Sequence, residues 1–341
     1  MNEEDWTAPG AYEVAPDVFR VPLPLPSDGL RAVNVYVICN AGRLVCIDSG
    51  WAVPDARAVF DGALASLGCS VADIDRFLVT HAHRDHYTMA VALRRTQGMT
   101  ISLGAGERPS LQAIADPDRA PFEDRLLALR RYGAGHLVDL IGVETVQGHK
   151  AERSEWEPPD IWLSEGDVVL GSGRRLDVVE TPGHTRGHVV FSDPTNGLLF
   201  AGDHVLPTIT PSIGFEPVIS DNPLGDFLGS LARVRAIPDA VLLPAHGPVA
   251  PSVHARIDQL VDHHGRRLDQ TLAALAAGAT SVFEVASRLR WTRRERTLSE
   301  LDLFNQMLAV TETAAHLRLL IAQERVAQIL DDGIYQYRAL P

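Results

Sequence analysis

The sequence predicts an α/β layered domain followed by a small helical module, and three observations carry that reading. Strand and helix patterns alternate over roughly the first hundred residues. Short apolar strand patterns resume at Ile161 and run, with one helix between them, to Leu243. From Val253 onward the spacing of apolar residues turns helical and closes on a hairpin signal.

Taken in order, strand signatures rich in Val, Ile and Tyr occupy Tyr12–Leu25, Val33–Cys39 and Leu44–Asp48, with Pro, Asp and Gly at the breaks. Pro54–Leu67 spaces its apolar residues helically and stops at Gly68. Arg76–Thr80 is a short buried strand, Asp85–Gln97 a helix and Met99–Leu103 another strand. From about Glu107 to Pro159 the rhythm breaks into helical stretches, Phe122–Tyr132 and His136–Ile141, and then a polar segment. We read this as an inserted helical lid or interface element. Strands return at Ile161–Leu163, Asp167–Leu170, Arg175–Glu180, His188–Ser192 and Gly197–Ala201, followed by a helix at Leu224–Arg235 and a last strand at Ala240–Leu243. Beyond them lie a long amphipathic helix, Ile257–Ala277, and shorter ones at Val282–Leu289, Leu301–Leu308 and Thr311–Gln323. Val326–Leu330 and Ile334–Arg338 flank Asp331-Asp332-Gly333, a good two-strand turn. Helices capped by a hairpin spell a winged-helix-like module. The expected division is therefore 1–250, with the insert at about 107–159, and 251–341.

Bulk properties narrow the function. The 341 residues, 45% hydrophobic, suit one large domain plus a small one. No run approaches the roughly 18 apolar residues of a membrane helix. Met1-Asn2-Glu3-Glu4-Asp5 is acidic where a signal peptide is basic and then apolar, so the expected location is the cytosol. Cys39, Cys46 and Cys69 form no CxxC pair and read as reduced thiols. The net charge of −13 falls wholly on the first 250 residues, which hold 20 basic and 33 acidic groups; from Pro251 onward 11 Arg balance 11 acids. Such a surface repels a phosphate backbone. Arg293, Arg294 and Arg296 make a small basic cluster, but in a neutral module the expected role is scaffold or dimer contact rather than nucleic-acid binding.

The chemistry concentrates in His81-Ala82-His83-Arg84-Asp85-His86, directly after a strand. Four potential ligands so close together cannot share one face of a helix or strand, so the segment is expected to be a loop wrapping a centre. Imidazole and carboxylate donors without thiolate suit zinc, iron or manganese in a catalytic site. Three further motifs each follow a strand: Thr181-Pro182-Gly183-His184, Ala201-Gly202-Asp203 and Pro244-Ala245-His246-Gly247. A GxSxG elbow, the mark of a serine nucleophile, does not occur.

In this HxHxDH segment and the three motifs after it, over about residues 12 to 250, the chain resembles the metallo-β-lactamase-fold superfamily. The resemblance implies an αβ/βα sandwich with metals at one edge. It implies that His81, His83 and His184 hold one ion, that Asp85, His86 and His246 hold the other, and that Asp203 bridges them. Asp85 and Asp203 are then the catalytic carboxylates. The implied cofactor is a pair of zinc ions, with iron or manganese as alternatives, sharing a hydroxide that attacks a carbonyl. A small thioester, ester or lactone is the expected substrate, and a β-lactam is chemically close. Asp48, in Ile47-Asp48-Ser49-Gly50, stands where the family has an acid that orients a ligand imidazole; its plain alternative is a turn residue. His188 is expected to support the sheet or back the site without ligating. His204 is assigned equally to the substrate pocket or the core, and Ile209–Phe215 equally to pocket lining or plain loop. Two other activities stay open on these residues: a mononuclear-iron persulfide dioxygenase, and a nucleic-acid-acting metallohydrolase or DNA-binding regulator working through the winged helix. No membrane partner is expected, and a homodimer is allowed for.

Overall fold

β-Branched and aromatic residues dominate the first fifty positions, and they pair as an antiparallel meander. Its strands are β1 (Tyr12–Ala15), β2 (Val18–Pro24), β3 (Ala32–Asn40) and β4 (Arg43–Ile47). The computed structural model describes residues 5–26, 29–116, 118, 123–140 and 155–341. The single strand expected over Tyr12–Leu25 is two strands. Pro16 lacks a ladder donor and Asp17 takes φ 64°, so the chain turns there.

Crossover connections then switch the sheet to parallel pairing. Helix α1 (Pro54–Ser66) leads to β5 (Ile74–Val79), and α2 (Arg84–Gln97) leads to β6 (Thr100–Gly104). The insert leads to β7 (Ile161–Leu163), completing seven strands in sequence order. The second sheet contains β8 (Gly166–Val169), β9 (Arg175–Glu180), β10 (Val189–Asp193), β11 (Leu198–Gly202) and β12 (Val241–Pro244), in the order β12-β11-β10-β9-β8. Only its β11–β12 pair is parallel, joined through α6 (Pro223–Arg235).

The sheets meet face to face over Tyr36, Ile38, Leu78, Phe191 and Phe200, with Tyr36 and Phe200 edge-on at 5.4 Å between ring centres. Phe60, Leu64, Met89 and Val91 of α1 and α2 cover the outer face of the first sheet. Leu224, Phe227 and Leu231 of α6 cover the second sheet with Leu199 and Ala201. This is the expected layering of helix, sheet, sheet and helix.

Within the insert lie α3 (Arg108–Ala115), α4 (Glu123–Arg131) and α5, described over 135–140. The remainder, including Ile141 and the polar segment up to 154, lies outside the described residues. Leu129, Tyr132 and Leu137 share a buried cluster with Val285 and Leu317, and the Phe283 N–H donates to the Tyr132 carbonyl at 3.0 Å. The α4–α5 part of the insert thus packs on the C-terminal helices, while Leu111 of α3 and Trp156 join the cluster on the outer face of the first sheet.

Those helices are α7 (Val253–Ala276), capped by Ser252, α8 (Val282–Arg288), with a Ser281–Glu284 capping box, and α9 (Leu303–Ala322), capped by Asp302. The two helices expected over Leu301–Leu308 and Thr311–Gln323 are one. Thr311 directs its hydroxyl to the Met307 and Leu308 carbonyls, within the helix, and so does not break it. β13 (Val326–Asp331) and β14 (Ile334–Ala339) close the chain through Asp332 at φ 45° and Gly333 at φ 78°. Leu260, Val282, Val310 and Leu317 belong to the same buried cluster as Phe227 and Leu199, so the C-terminal helices rest on the second sheet and α6 through one apolar core. At about 1.5–3 kcal/mol for each fully buried large apolar side chain, this contact is a major part of the fold's stability. No helix among the described residues is long and apolar enough to cross a membrane.

Candidate metal centre

Parallel pairing puts strand ends side by side, and the candidate donors occupy those ends. Register β4–β5 sets Asp48 beside Thr80 and the HxHxDH segment, with the Asp48 N–H donating to the Leu78 carbonyl at 3.0 Å. Register β11–β12 sets Asp203 beside His246, with the Ala245 N–H donating to the Gly202 carbonyl at 3.1 Å. The Val189 N–H reaches the Thr80 carbonyl at 2.8 Å and ties the two sheets together at this edge. His81 and His83 lie in the loop after β5, and His83 is the N-cap of α2. Asp85 and His86 therefore sit in the first helical turn rather than in a continuous loop, which corrects the expected wrapping loop: the helix start supplies the second half of the motif.

The structure brings all seven candidate residues together, as two groups. His81, His83, His184 and Asp203 present one donor atom each within 4.8 Å of one another, and so do Asp85, His86 and His246. His83 Nδ1 lies 2.9 Å from His81 Nε2 and 3.0 Å from His184 Nε2. His246 Nε2 lies 3.3 Å from Asp85 Oδ2, and His86 Nε2 lies 3.6 Å from it. Asp203 divides its oxygens between the groups. Its Oδ2 is 3.4 Å from His184 Nε2 and 4.0 Å from His81 Nε2, while its Oδ1 is 3.4 Å from His246 Nε2 and 3.7 Å from His86 Nε2.

Partners on the far side of four imidazoles fix which nitrogen faces the centre. His184 Nδ1 donates to the Ser212 carbonyl at 2.7 Å, and His246 Nδ1 to the Ala32 carbonyl at 2.8 Å. His86 Nδ1 donates to Asp48 Oδ2 at 2.9 Å, and His81 Nδ1 meets Thr80 Oγ1 at 3.1 Å. Asp48 also accepts the Thr80 N–H at 2.8 Å and its hydroxyl at 3.0 Å, so it braces the strand end and the imidazole together. Each of these four rings turns Nε2 inward. His86 Nε2, His246 Nε2 and Asp203 Oδ1 are buried without a hydrogen-bond partner among the described residues. Buried polar atoms are rarely left so, and converging imidazole and carboxylate donors of this kind fit a bound cation.

Electrostatics separates the two groups. Burial holds His81 well below its ordinary pKa and lowers His83 to about 3 and His184 to about 4, with the neighbouring imidazoles adding to the effect at each. These rings are neutral and offer lone pairs. In the second group burial opposes charge on His86, but the Asp85, Asp48 and Asp203 carboxylates outweigh it and push the ring up to about 10. Burial likewise resists ionisation of Asp85, yet His86 and His246 hold it well below the usual carboxylate range. The second group is an ionic cluster that a cation can enter by displacing protons.

His188 donates no atom to either group. Its Nδ1 pairs with Thr181 Oγ1 at 2.8 Å, its Nε2 accepts the Asp203 N–H at 3.1 Å, and its ring stacks on His81 at 4.9 Å. Gly202, at φ 50°, must be glycine: an added Cβ would stand 2.6 Å from Thr80 Oγ1 and 2.8 Å from His188 Nε2. His204 turns into the core against Phe227, 5.2 Å away, and not toward the donors. His136 sits on α5, while His254, His263 and His264 sit on α7 and His316 on α9; His149 lies outside the described residues. His263, His264 and Glu312 cluster as well, but Arg256, Arg266 and Arg267 surround His263 with positive charge that repels a cation. The segment after Asp203 is more than a plain loop, since Ser212 holds His184 and Arg256 grips the Leu206 and Ile209 carbonyls at 2.5 and 2.8 Å.

Two buried acids beside the centre have no signature in the sequence. Glu107 accepts the Thr185 hydroxyl, and Glu216 accepts the Arg186 N–H at 2.9 Å. Burial pushes Glu107 up to about 7 and Glu216 up to about 8, the latter raised further by Glu107.

An αβ/βα sandwich with a histidine–aspartate cluster at the strand ends defines a class of metal-dependent hydrolase. The family model for the metallo-beta-lactamase superfamily matches residues 28–246, and the chain belongs to that superfamily. A Bacillus subtilis (strain 168) protein called "Probable metallo-hydrolase YqjP" is 24% identical over 330 residues, 95% of this chain and 98% of that one. An atrochrysone carboxyl ACP thioesterase of Aspergillus fumigatus is 24% identical over 250 residues, 73% of this chain but 46% of that protein. The crystal structure of a metallo-beta-lactamase family protein from Thermus thermophilus superimposes with a TM-score of 0.78 at 26% identity, covering 96% of this chain and 100% of that one. The chain is a metal-dependent hydrolase of this superfamily.

Proposed function

We propose that the chain is a two-metal hydrolase of small carbonyl compounds, a thioester, ester or lactone, and that zinc is its metal. The observation that carries the proposal is the division of Asp203 between two donor groups, one oxygen to each. His81, His83 and His184 would hold one ion, Asp85, His86 and His246 the other, and Asp203 both. Two zinc ions so held supply a water nucleophile at neutral pH and a Lewis acid for the carbonyl oxygen.

The chain's own residues do the rest. Thr80, Asp48, Ser212 and Ala32 hold the Nδ1 side of four rings, so four Nε2 atoms already face inward, and in the second group a cation takes the place of a proton there. Asp85 and Asp203 are the catalytic carboxylates, and their negative charge sets the electrostatics of the pocket. The thioesterase among the relatives supports the substrate class, as does the acidic charge of the first 250 residues, which disfavours nucleic acid. We read residues 251–341 as a winged-helix-like scaffold on the catalytic domain, with a homodimer as the proposed assembly. All three cysteines are free, which favours the cytosol.

Elemental analysis of the purified chain, paired with a thioester and lactone panel, tests the reading. About two zinc per chain with turnover on that panel is expected. One iron per chain with oxygen consumption on persulfides would replace it with the dioxygenase reading. Asp203→Ala should abolish most turnover in a folded protein, and unchanged turnover would refute the role of Asp203 at both ions.

A further inference from the structure

Glu107 and Glu216 are 1% and 3% exposed, yet neither belongs to a donor group. A carboxyl group is retained in an interior only where the surroundings satisfy it. Glu107 closes the turn after β6 and leads into α3. The Thr185 hydroxyl donates to its Oε1, and the backbone N–H groups of Ala82 and Gly187 also favour its charged form. Ala82 stands between His81 and His83, while Thr185 and Gly187 follow His184. Glu216 secures the same turn from the other side, through the Arg186 N–H at 2.9 Å, and leans on Ser110 of α3 at 3.5 Å. The β6–α3 turn and the 185–187 turn touch backbone to backbone. A Cβ on Gly187 would fall 2.0 Å from the Glu107 nitrogen, and one on Gly106 would fall 2.6 Å from the Arg186 carbonyl oxygen.

We infer that Glu107, backed by Glu216, is a positioning residue for the first donor group alone, locking the turn that bears His81 and His83 to the turn that bears His184. The second group is anchored elsewhere: His86 on Asp48 and His246 on the Ala32 carbonyl. Asp203, common to both, is placed by His188 through its backbone N–H. Losing Glu107 therefore loosens three histidines of one group and none of the other. A residue that merely fills the interior would affect both groups or neither.

The inference rests on the two-ion reading, and a cobalt titration of the metal-free full-length chain separates the two. Visible absorption reports cobalt entering nitrogen-rich sites, and His246→Ala or His184→Ala backgrounds isolate the first or second group. In the His246→Ala background, Glu107→Ala should weaken cobalt binding by about 10–100-fold, the usual effect of removing an outer partner of metal ligands. Glu107→Gln should restore most of that loss, because its carbonyl can still accept the Thr185 hydroxyl. In the His184→Ala background, Glu107→Ala should leave the affinity unchanged. If Glu107→Ala does not fold, Thr185→Val removes the hydroxyl donor alone and should weaken the same group in the same direction. Equal loss in both backgrounds, or none in the first, overturns the inference. A wild-type chain that binds a single cobalt at the first group overturns the two-ion reading but leaves the Glu107 comparison valid there. Binding at the second group only, or none at all, overturns both.

Discussion

Replacing Asp48 by asparagine should separate the fold of this protein from the loading of its second donor group. Asp48 is 2% exposed and accepts from the Thr80 N–H, the Thr80 hydroxyl and His86 Nδ1. Alanine would strand the buried Thr80 N–H and His86 N–H at about 1–3 kcal/mol each. It would also force a non-glycine residue lacking a polar side chain to hold φ 60°, at about 1–2 kcal/mol more. Together these approach the whole stability of an ordinary domain, so alanine would report unfolding. Asparagine tolerates the backbone and still accepts from Thr80 through its carbonyl oxygen. Its amide nitrogen, however, faces His86 Nδ1 as a donor. The ring must then accept there and carry its hydrogen on Nε2, the atom turned toward Asp85, Asp203 and His246. A protonated nitrogen has no lone pair for a cation. We expect Asp48→Asn to retain wild-type stability to within about 2 kcal/mol in urea while losing about 10–100-fold in affinity at the second group only. Chelator competition and a denaturation curve on the same preparation read both quantities. Wild-type affinity at both groups, or equal loss at both, would show that Asp48 does not set the His86 tautomer.

Three further outcomes are expected. Gly202→Ala places a Cβ against Thr80 and His188 at φ 50°, so denaturation should show a loss of about 2–5 kcal/mol together with reduced metal content; a normal melt with full metal would sink the close-packing account. Glu216, held near 8 when folded against 4.5 in a free chain, keeps its proton in the folded state and releases it in the unfolded one between those values, so its contribution to stability declines as pH rises through that window. Glu216→Gln lacks this dependence and should gain on wild type by up to about 4 kcal/mol between pH 5 and pH 8.5, read as a difference in melting temperature; a constant difference would show that Glu216 titrates normally. Phe227→Ala empties a fully buried site between His204 and His264 and should cost about 3–5 kcal/mol in urea, with a loss below about 1 kcal/mol contradicting its place in the shared core.

What was legible in the sequence, and what was not, follows from how each feature is encoded. The seven donors stand out because each terminates or follows an apolar strand, and strand ends at one sheet edge converge. The layering of sheets and helices was legible for the same reason, since period and turn chemistry are local. The tautomer partners at Ser212 and Ala32 were not, because they act through backbone carbonyls that any residue supplies. Glu107 reads in sequence as one acid at the start of an insert, and only the packing of the 185–187 turn gives it a task. The break at Asp17 and the continuity of α9 through Thr311 both turn on short polar side chains that bond to the backbone or accept unusual φ values, choices that propensity leaves undecided.

The segment from Leu206 to Glu216 is moored on two shores. Its Ser212 carbonyl steadies His184 and its Pro207 packs against Gly247, next to His246. Its Leu206, Thr208 and Ile209 carbonyls are gripped by Arg256 of α7 and Arg293 of the turn between α8 and α9. A fragment ending at residue 250 would retain every one of the seven donors and lose the arginines that keep this segment in place. An inventory of motifs would score that fragment as intact, although the segment that holds His184 through Ser212 would have lost those hydrogen bonds. The stretch that carries the ligands is thus shorter than the length that carries their moorings.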